Sequence, residues 1–462
     1  MSSIDPRTRR VKIKVELIRW DWTDTTAKKR DSDSIDITQD VVNYRFQETI
    51  KTPMGTAQLA LIPQRTGRNM LDIINVMDVI KIYEFDTLKF QGYVRRVSYS
   101  GSIQAADGKP SREAVLSVTP FGGMLFEPAC GLGMGRVVGN EDAFQASATV
   151  LMTNIANVVG KDGAAYGEVI NTTLDAWFEF IKSTGGPVFD EYVNTYMNFS
   201  DGVDQTSIPV TPRQFDVYTG KEESVTIWSL LQKLTEIPLN ELWVDSGPRS
   251  VYINGVNKSL GNNSTYLIFR DNPFDAFDSM PFKTIDKDHY LRFDFAKSMD
   301  ESFSVFGAIP VSFDVGEYVR QMLGTVVTSE ENLNKYLYKP MINQLHYTRK
   351  ESEIDKSSDS TTGAIDQMTA GIAEKLKRWF ENNDKYYSGA ITMMVPKETS
   401  KDPRIGERVA MDGLQGWFYV EGVAHTWQYP GALTSNLSVT RGWNRNRPLE
   451  FKDKIFRRGQ GQ

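Results

Sequence analysis

Glu241 and Asp245 come nearest to a reaction centre in this chain, because paired carboxylates hydrolyse glycosidic bonds as acid and as base or nucleophile. On an extended strand, residues four apart share a face but stand about 13 Å apart at roughly 3.3 Å per residue, whereas such pairs work at about 5–9 Å. The spacing favours a structural role for both. His289, His346 and His425 are the only histidines, and none has a partner at metal-ligand spacing such as H-E-x-x-H. His425 alternates with Val423 and Trp427, so the three share one strand face and the imidazole reads as a packed residue of the fold. Gly131-Leu132-Gly133-Met134-Gly135 has the glycines of a phosphate loop but not its Gly-Lys-Ser/Thr ending, and it reads as a turn between domains. No serine lies in a G-x-S-x-G context, and the single Cys130 has no evident histidine partner. No catalytic residue, metal ligand or cofactor is expected.

The elements that must position these residues are mostly strands. Val11, Ile13, Val15 and Leu17 alternate with Lys12, Lys14 and Glu16, the period of a strand with one buried face. Similar runs at 56–62, 79–85, 89–98 and 113–119 are separated by turn formers, so residues 1–128 predict an antiparallel sheet or barrel. After Gly139 the apolar residues take helical spacing, from Phe144 to Val159 and again from Asp175 to a stop at Gly185-Gly186-Pro187. Residues 129–224 therefore form a helix-rich insertion. In 225–310 a short buried helix, with Trp228, Leu231 and Leu234, feeds strands near 242–245, 250–253, 266–270 and 291–295. Residues 311–385 predict helices at 317–323 and 330–347, a polar mobile linker at 350–363, and a helix at 366–380 with an apolar stripe of Met368, Ile372, Leu376, Trp379 and Phe380. Strands near 390–395, 407–411, 416–424 and 434–441 complete a second β domain over 386–443. The fold class is α+β, mainly β, with two antiparallel barrel-like domains and helix-rich insertions.

At 462 residues the chain is long for one core, and 40% hydrophobic with 24% charged residues describes an ordinary soluble protein. A lone cysteine excludes an internal disulfide, and a net charge of −6 gives no overall attraction to nucleic acid. No membrane anchor is expected, since the longest uncharged stretch, Ala143 to Gly160, carries too many amides and hydroxyls for hydrocarbon. Arg7, Arg9 and Arg10 have no apolar run after them, so no secretory signal is visible and assembly in a cytoplasm is expected. Residues 444–462 form a basic tail in which Phe451, Ile455 and Phe456 interleave with charges such as Arg457 and Arg458, the pattern of a segment that orders on a partner.

Four pieces carry a resemblance by their joint order. They are Asn240-Glu241-Leu242-Trp243-Val244-Asp245, the run from Arg270 to Pro273-Phe274, Phe418-Tyr419-Val420 leading to Val423, His425 and Trp427, and a last strand ending in Arg441-Gly442. Together they resemble the baseplate hub proteins of contractile-tail phages and related injection particles, closely from about Ile227 to Trp443. The resemblance implies a homotrimer in which each chain gives two tube-like β domains. The resulting pseudo-sixfold ring would join the tail tube to the central spike, in the tail baseplate of the virion. Implied partners are other copies of the chain, the spike, the tube or tube-initiator protein and neighbouring wedge proteins, with no sequence-specific nucleic acid. Trp243, Asp245, Arg270, Pro273, Phe274, His425 and Trp427 would serve the fold, and edges near Val11–Leu17 and Val420–Val439 would build the ring. A tail-associated cell-wall hydrolase and a tail-tip receptor- or carbohydrate-binding protein stand as alternatives.

Overall fold

The structure, a computed structural model, describes residues 12–22, 34–65, 68–102, 111–126, 157–158, 165–199, 201–204, 214–215, 226–253, 255–273, 280–310, 326–345, 347–348, 359–412 and 416–444. Cys130, the glycine run 131–135, Phe274, His346, the helix expected at 317–323 and the basic tail with Phe451, Ile455, Phe456, Arg457 and Arg458 lie outside them. The chain is mainly β.

Alternation of apolar and polar residues builds the first strands. β1 (Ile13–Ile18) buries Val15 and Leu17 and turns Lys14 outward, and β2 (Ile35–Asp36) pairs beside it. β3 (Val41–Thr49) and β4 (Thr52–Leu61) form a hairpin. β5 (Val79–Glu84), the long β6 (Thr87–Ser102) and β7 (Ser111–Pro120) continue the antiparallel ladder. Tyr44, Phe46, Leu59, Ile80, Ile82, Phe90 and Leu116 pack together in one core on these strands.

Helix α1 (Tyr166–Tyr196) follows, and it corrects one expectation. It runs through Gly185-Gly186-Pro187 without a stop, although a proline inside a helix loses a backbone bond and crowds the preceding turn. Packing on both sides outweighs that cost: Val169, Ile170, Leu174 and Trp177 before it, and Tyr192, Val193 and Tyr196 after it, all enter one core with Trp20 and Phe121. Helix α2 (Ile227–Leu234) starts at a capping box between Thr226 and Ser229 and buries Trp228, Leu230, Leu231 and Leu234 in the same core.

The next strands pair locally, β8 (Asn240–Ser246) with β11 (Thr265–Asp271), and β9 (Arg249–Ile253) with β10 (Val256–Leu260). β12 (Phe282–Ile285) and β13 (Tyr290–Ala296) return to the main sheet. A small separate sheet then joins β14 (Val305–Pro310), β15 (Val326–Thr328) and β16 (Pro340–Leu345), with helix α3 (Glu330–Tyr336) between the last two. The helix expected over 330–347 thus ends at Tyr336. Leu337 takes a left-handed φ of 57°, Pro340 cannot continue a helix, and Met341 and Ile342 pair with β14 instead. Helix α4 (Asp359–Phe380) lies on this small sheet through Ile372, Leu376, Trp379 and Phe380. It begins inside the stretch expected to be a linker, where residues 359–363 hold no proline and each of them, Gly363 included, costs a helix about 1 kcal/mol or less.

β17 (Tyr387–Met394), β18 (Arg408–Met411), β19 (Gly416–Gln428) and β20 (Thr434–Asn444) complete the chain. The thirteen-stranded main sheet runs β13-β17-β20-β19-β3-β4-β7-β6-β5-β1-β2, with β18 on β19 and β12 on β18. The early and late strands meet where β3 pairs with β19, Thr49 opposite Gly422 through Asn43 opposite Gln428. This corrects the expectation for Val420–Val439: β19 and β20 are interior strands whose backbone groups are satisfied within the chain, and they offer no edge.

Candidate functional site

The β3–β19 junction brings charged residues from remote parts of the sequence into one buried seam. On β5, Ile80, Ile82 and Glu84 share the inward face, so the alternation that buries two isoleucines also buries a carboxylate. Glu84 accepts a hydrogen bond from the Tyr44 hydroxyl at 2.8 Å and lies 2.7 Å from Nδ1 of His425. His425 is fully buried and stacks on Phe46, its cross-strand neighbour, at 4.8 Å. Burial, followed by the charge of Glu84, pushes the Tyr44 hydroxyl well above its usual range. Trp427, two residues on, lies in the same core beside Tyr44 at 5.8 Å.

A second layer of the seam joins β6 to the loop before β18. Lys89 donates to Asp402, and both are buried. Burial raises the proton affinity of Asp402, but Lys89 and then His425 outweigh it and hold the carboxyl down at about 2. Arg404 donates to the Lys89 carbonyl at 3.4 Å and to the Ser246 carbonyl at 3.0 Å, tying β6, β8 and the loop together. Glu48 faces the same cluster from β3. Burial and then the negative charge of Asp245 push it up to about 8, against the pull of Arg404 and Arg249.

Glu241 and Asp245 are not brought together as a pair. Asp245 is bound by Arg249, with Arg404 at 3.9 Å, while Arg249 also donates to the Ile405 carbonyl at 2.9 Å. Glu241 accepts from Arg270 Nε at 2.8 Å and from the Tyr419 hydroxyl at 2.5 Å. Arg270 further donates to the carbonyls of Tyr252 and Gly406, each at 2.9 Å, and lies over the Trp243 ring at 5.0 Å. Gly406 sits at φ +76°, where a Cβ would meet Trp243 at 2.9 Å and Arg270 at 3.0 Å, so this arginine fits only against glycine. Pro273 is buried at the end of β11. Each carboxylate is therefore enclosed by its own arginine, in a clamp that locks β8 and β11 onto β19. Among the described residues, no group of three or more His, Cys, Asp or Glu side chains is placed to hold a metal ion.

Sequence reasoning missed Glu48, Glu84, Lys89, Asp402 and Arg404. A signal existed for two of them: Glu84 continues the inward run Ile80, Ile82, and Glu48 continues Tyr44, Phe46. Lys89, Asp402 and Arg404 lie in a strand and a loop whose local pattern says nothing of burial.

No protein-family model matches the chain, and no curated protein matches it. Among solved structures, the tail protein from Neisseria meningitidis MC58 superposes with a TM-score of 0.51 over 93% of this chain and 96% of that one, at 12% identity. The chain has the fold of that tail protein. The 43 kDa tail protein of prophage MuSo2 from Shewanella oneidensis, at 12% identity and a TM-score of 0.49, covers 93% of this tail-protein fold and 98% of its own chain. The prophage tail protein gp18 from Listeria monocytogenes EGD-e, at 9% identity and a TM-score of 0.38, covers 93% and 95%. No described helix of this tail-protein fold is long and apolar enough to cross a membrane.

Proposed function

We propose that the chain is a structural subunit of a phage tail: a baseplate hub that joins the tail tube to the central spike. The fold of a tail protein over 93% of the chain is the observation that carries the reading. The buried seam supports it, because the β3–β19 junction sets two β units side by side in one continuous sheet. Three such chains present six β units to a sixfold tube on one face and three subunits to a threefold spike on the other. Work is done by interfaces and by the shape of the channel, with the other copies, the spike, the tube protein and neighbouring wedge proteins as partners. Catalysis forms no part of the reading, since Glu241 and Asp245 are each neutralised by an arginine.

Mass measurement of the full chain, alone and mixed with its spike and tube proteins, tests this. A trimer is expected, and a chain that stays monomeric with both present refutes the ring. Peptidoglycan hydrolysis by the wild type that disappears in Glu241→Gln or Asp245→Asn would favour the hydrolase reading instead.

A further inference from the structure

The main sheet ends on one side at β13, whose ladder runs to β17 alone among the described residues. Edges of this kind are normally blunted, yet here the apolar surface runs over the edge. Phe295 stacks on Phe418 of the core at 4.5 Å, Phe293 stacks on Phe295 at 5.3 Å, and Phe293 and Leu291 remain 42% and 53% exposed. A second open edge lies in the same sheet. β5 pairs with β6 only as far as Tyr93, while β7 follows β6 to Ser102. From Arg95 to Ser102 no described strand lies on the side of β6 away from β7, and Tyr99 there is 51% exposed.

Three features make these edges fit each other. Both arms are of similar length, residues 290–296 and 95–102. The path β13-β17-β20-β19-β3-β4-β7-β6 is antiparallel at every step and contains an even number of strands. A second copy placed with its β13 against this β6 therefore continues the antiparallel alternation. The β13 arm carries Arg292 and Asp294, 3.9 Å apart and together neutral, so it meets Arg95 and Arg96 on the partner arm without net like-charge repulsion.

We infer that β13 of one chain pairs antiparallel with the Arg95–Ser102 arm of β6 in a second copy, and that this joint, repeated head to tail, closes the ring. The inference rests on the ring reading and specifies which surfaces make it. Pairing satisfies both rows of backbone groups and covers Leu291, Phe293 and Tyr99.

The test uses the full chain with Cys130→Ser, carrying Phe293→Cys together with Val97→Cys, Tyr99→Cys or Gly101→Cys. Because a disulfide needs Cα atoms within about 7 Å, one of the three pairs should cross-link between chains on oxidation. Phe293→Asp in the otherwise unaltered chain should weaken self-association on the order of tenfold or more, with an unchanged melting curve. A trimer that shows none of the three cross-links and is unmoved by Phe293→Asp overturns the pairing and leaves the ring standing. Dimers linked through residue 293 in both chains also overturn it, by showing the edge to be self-complementary. A chain monomeric at every concentration, with spike and tube proteins present, overturns ring and pairing together.

Discussion

Lys89→Met isolates what the seam contributes. The substitution keeps an unbranched apolar stem on β6 and deletes the ammonium that binds Asp402, leaving a carboxylate that is 0% exposed without its first cation. Removing one partner of a buried ion pair costs about 3–5 kcal/mol. A second estimate comes from Asp402 itself, held at about 2 against an ordinary 3.8, which is worth roughly 2–3 kcal/mol by linkage. The second figure is smaller because it is net of the burial penalty, which Asp402 bears with or without Lys89. The first is the better guide to the variant. A depressed carboxylate stabilises the fold above its unfolded value and loses that contribution as pH falls from about 4 toward 2. In the variant Asp402 takes up its proton at higher pH, so acid unfolding should begin earlier. Urea unfolding followed by tryptophan fluorescence, at pH 7 and along the acid limb, measures both effects. A variant within about 0.5 kcal/mol of wild type, with an unmoved acid midpoint, would refute the seam as a source of stability.

Glu48→Gln should act in the opposite sense with pH. Glu48 is raised from an ordinary 4.5 to about 8, so its burial costs stability progressively as pH climbs through that window; the variant should be more stable than wild type at pH 7 and indistinguishable at pH 4, in melting curves at the two pH values. Trp427→Ala removes a core side chain packed on Tyr44 and should cost about 3–5 kcal/mol in urea unfolding; an unchanged melting temperature with failed assembly would place Trp427 on an interface instead. Deleting everything after Arg447 should leave melting unchanged but weaken retention of the spike or a neighbouring hub chain, more at low salt than at high salt because ions screen the basic tail; equal retention in pull-downs at two salt concentrations would show a solvated end.

Much of the sheet was legible because its signal is local. Val15 and Leu17, Ile80 and Ile82, and Val423 and Trp427 alternate as half-buried strands must, and the stripe from Ile372 to Phe380 repeats as a helix facing one core must. Helix α1 was legible only from Asp175 to Gly185, since Gly185-Gly186-Pro187 is a local stop overruled by packing on both flanks. The β3–β19 pairing was hidden for a different reason: more than 350 residues separate Asn43 from Gln428, and no turn announces their meeting. Of the clamp, Glu241 and Asp245 were marked for the fold by their spacing along a strand, and Asp245 and Arg270 by the resemblance. Their partners Arg249, Arg404 and Tyr419 appear only once the loop at Gly406 is folded against Trp243.

The place where charge was buried follows from that missing turn. A hairpin sets its own register, but β3 and β19 have only side chains to set theirs, and a slip of one residue would turn every side chain to the opposite face. Apolar residues penalise a slip weakly, because Phe46 can pack against many neighbours. His425 against Glu84 penalises it more, because a slip of β19 withdraws the imidazole from a buried carboxylate and leaves that hydrogen bond unmade. On this reasoning the buried polar pairs of the seam specify its geometry more than they add stability. The double variant Lys89→Met with Asp402→Leu separates the two contributions. It should recover most of the stability lost in Lys89→Met while the remaining pair, Glu84 with His425, still holds the junction. If it stays as unstable as the single variant, the cost comes from packing around Lys89 and not from the stranded carboxylate.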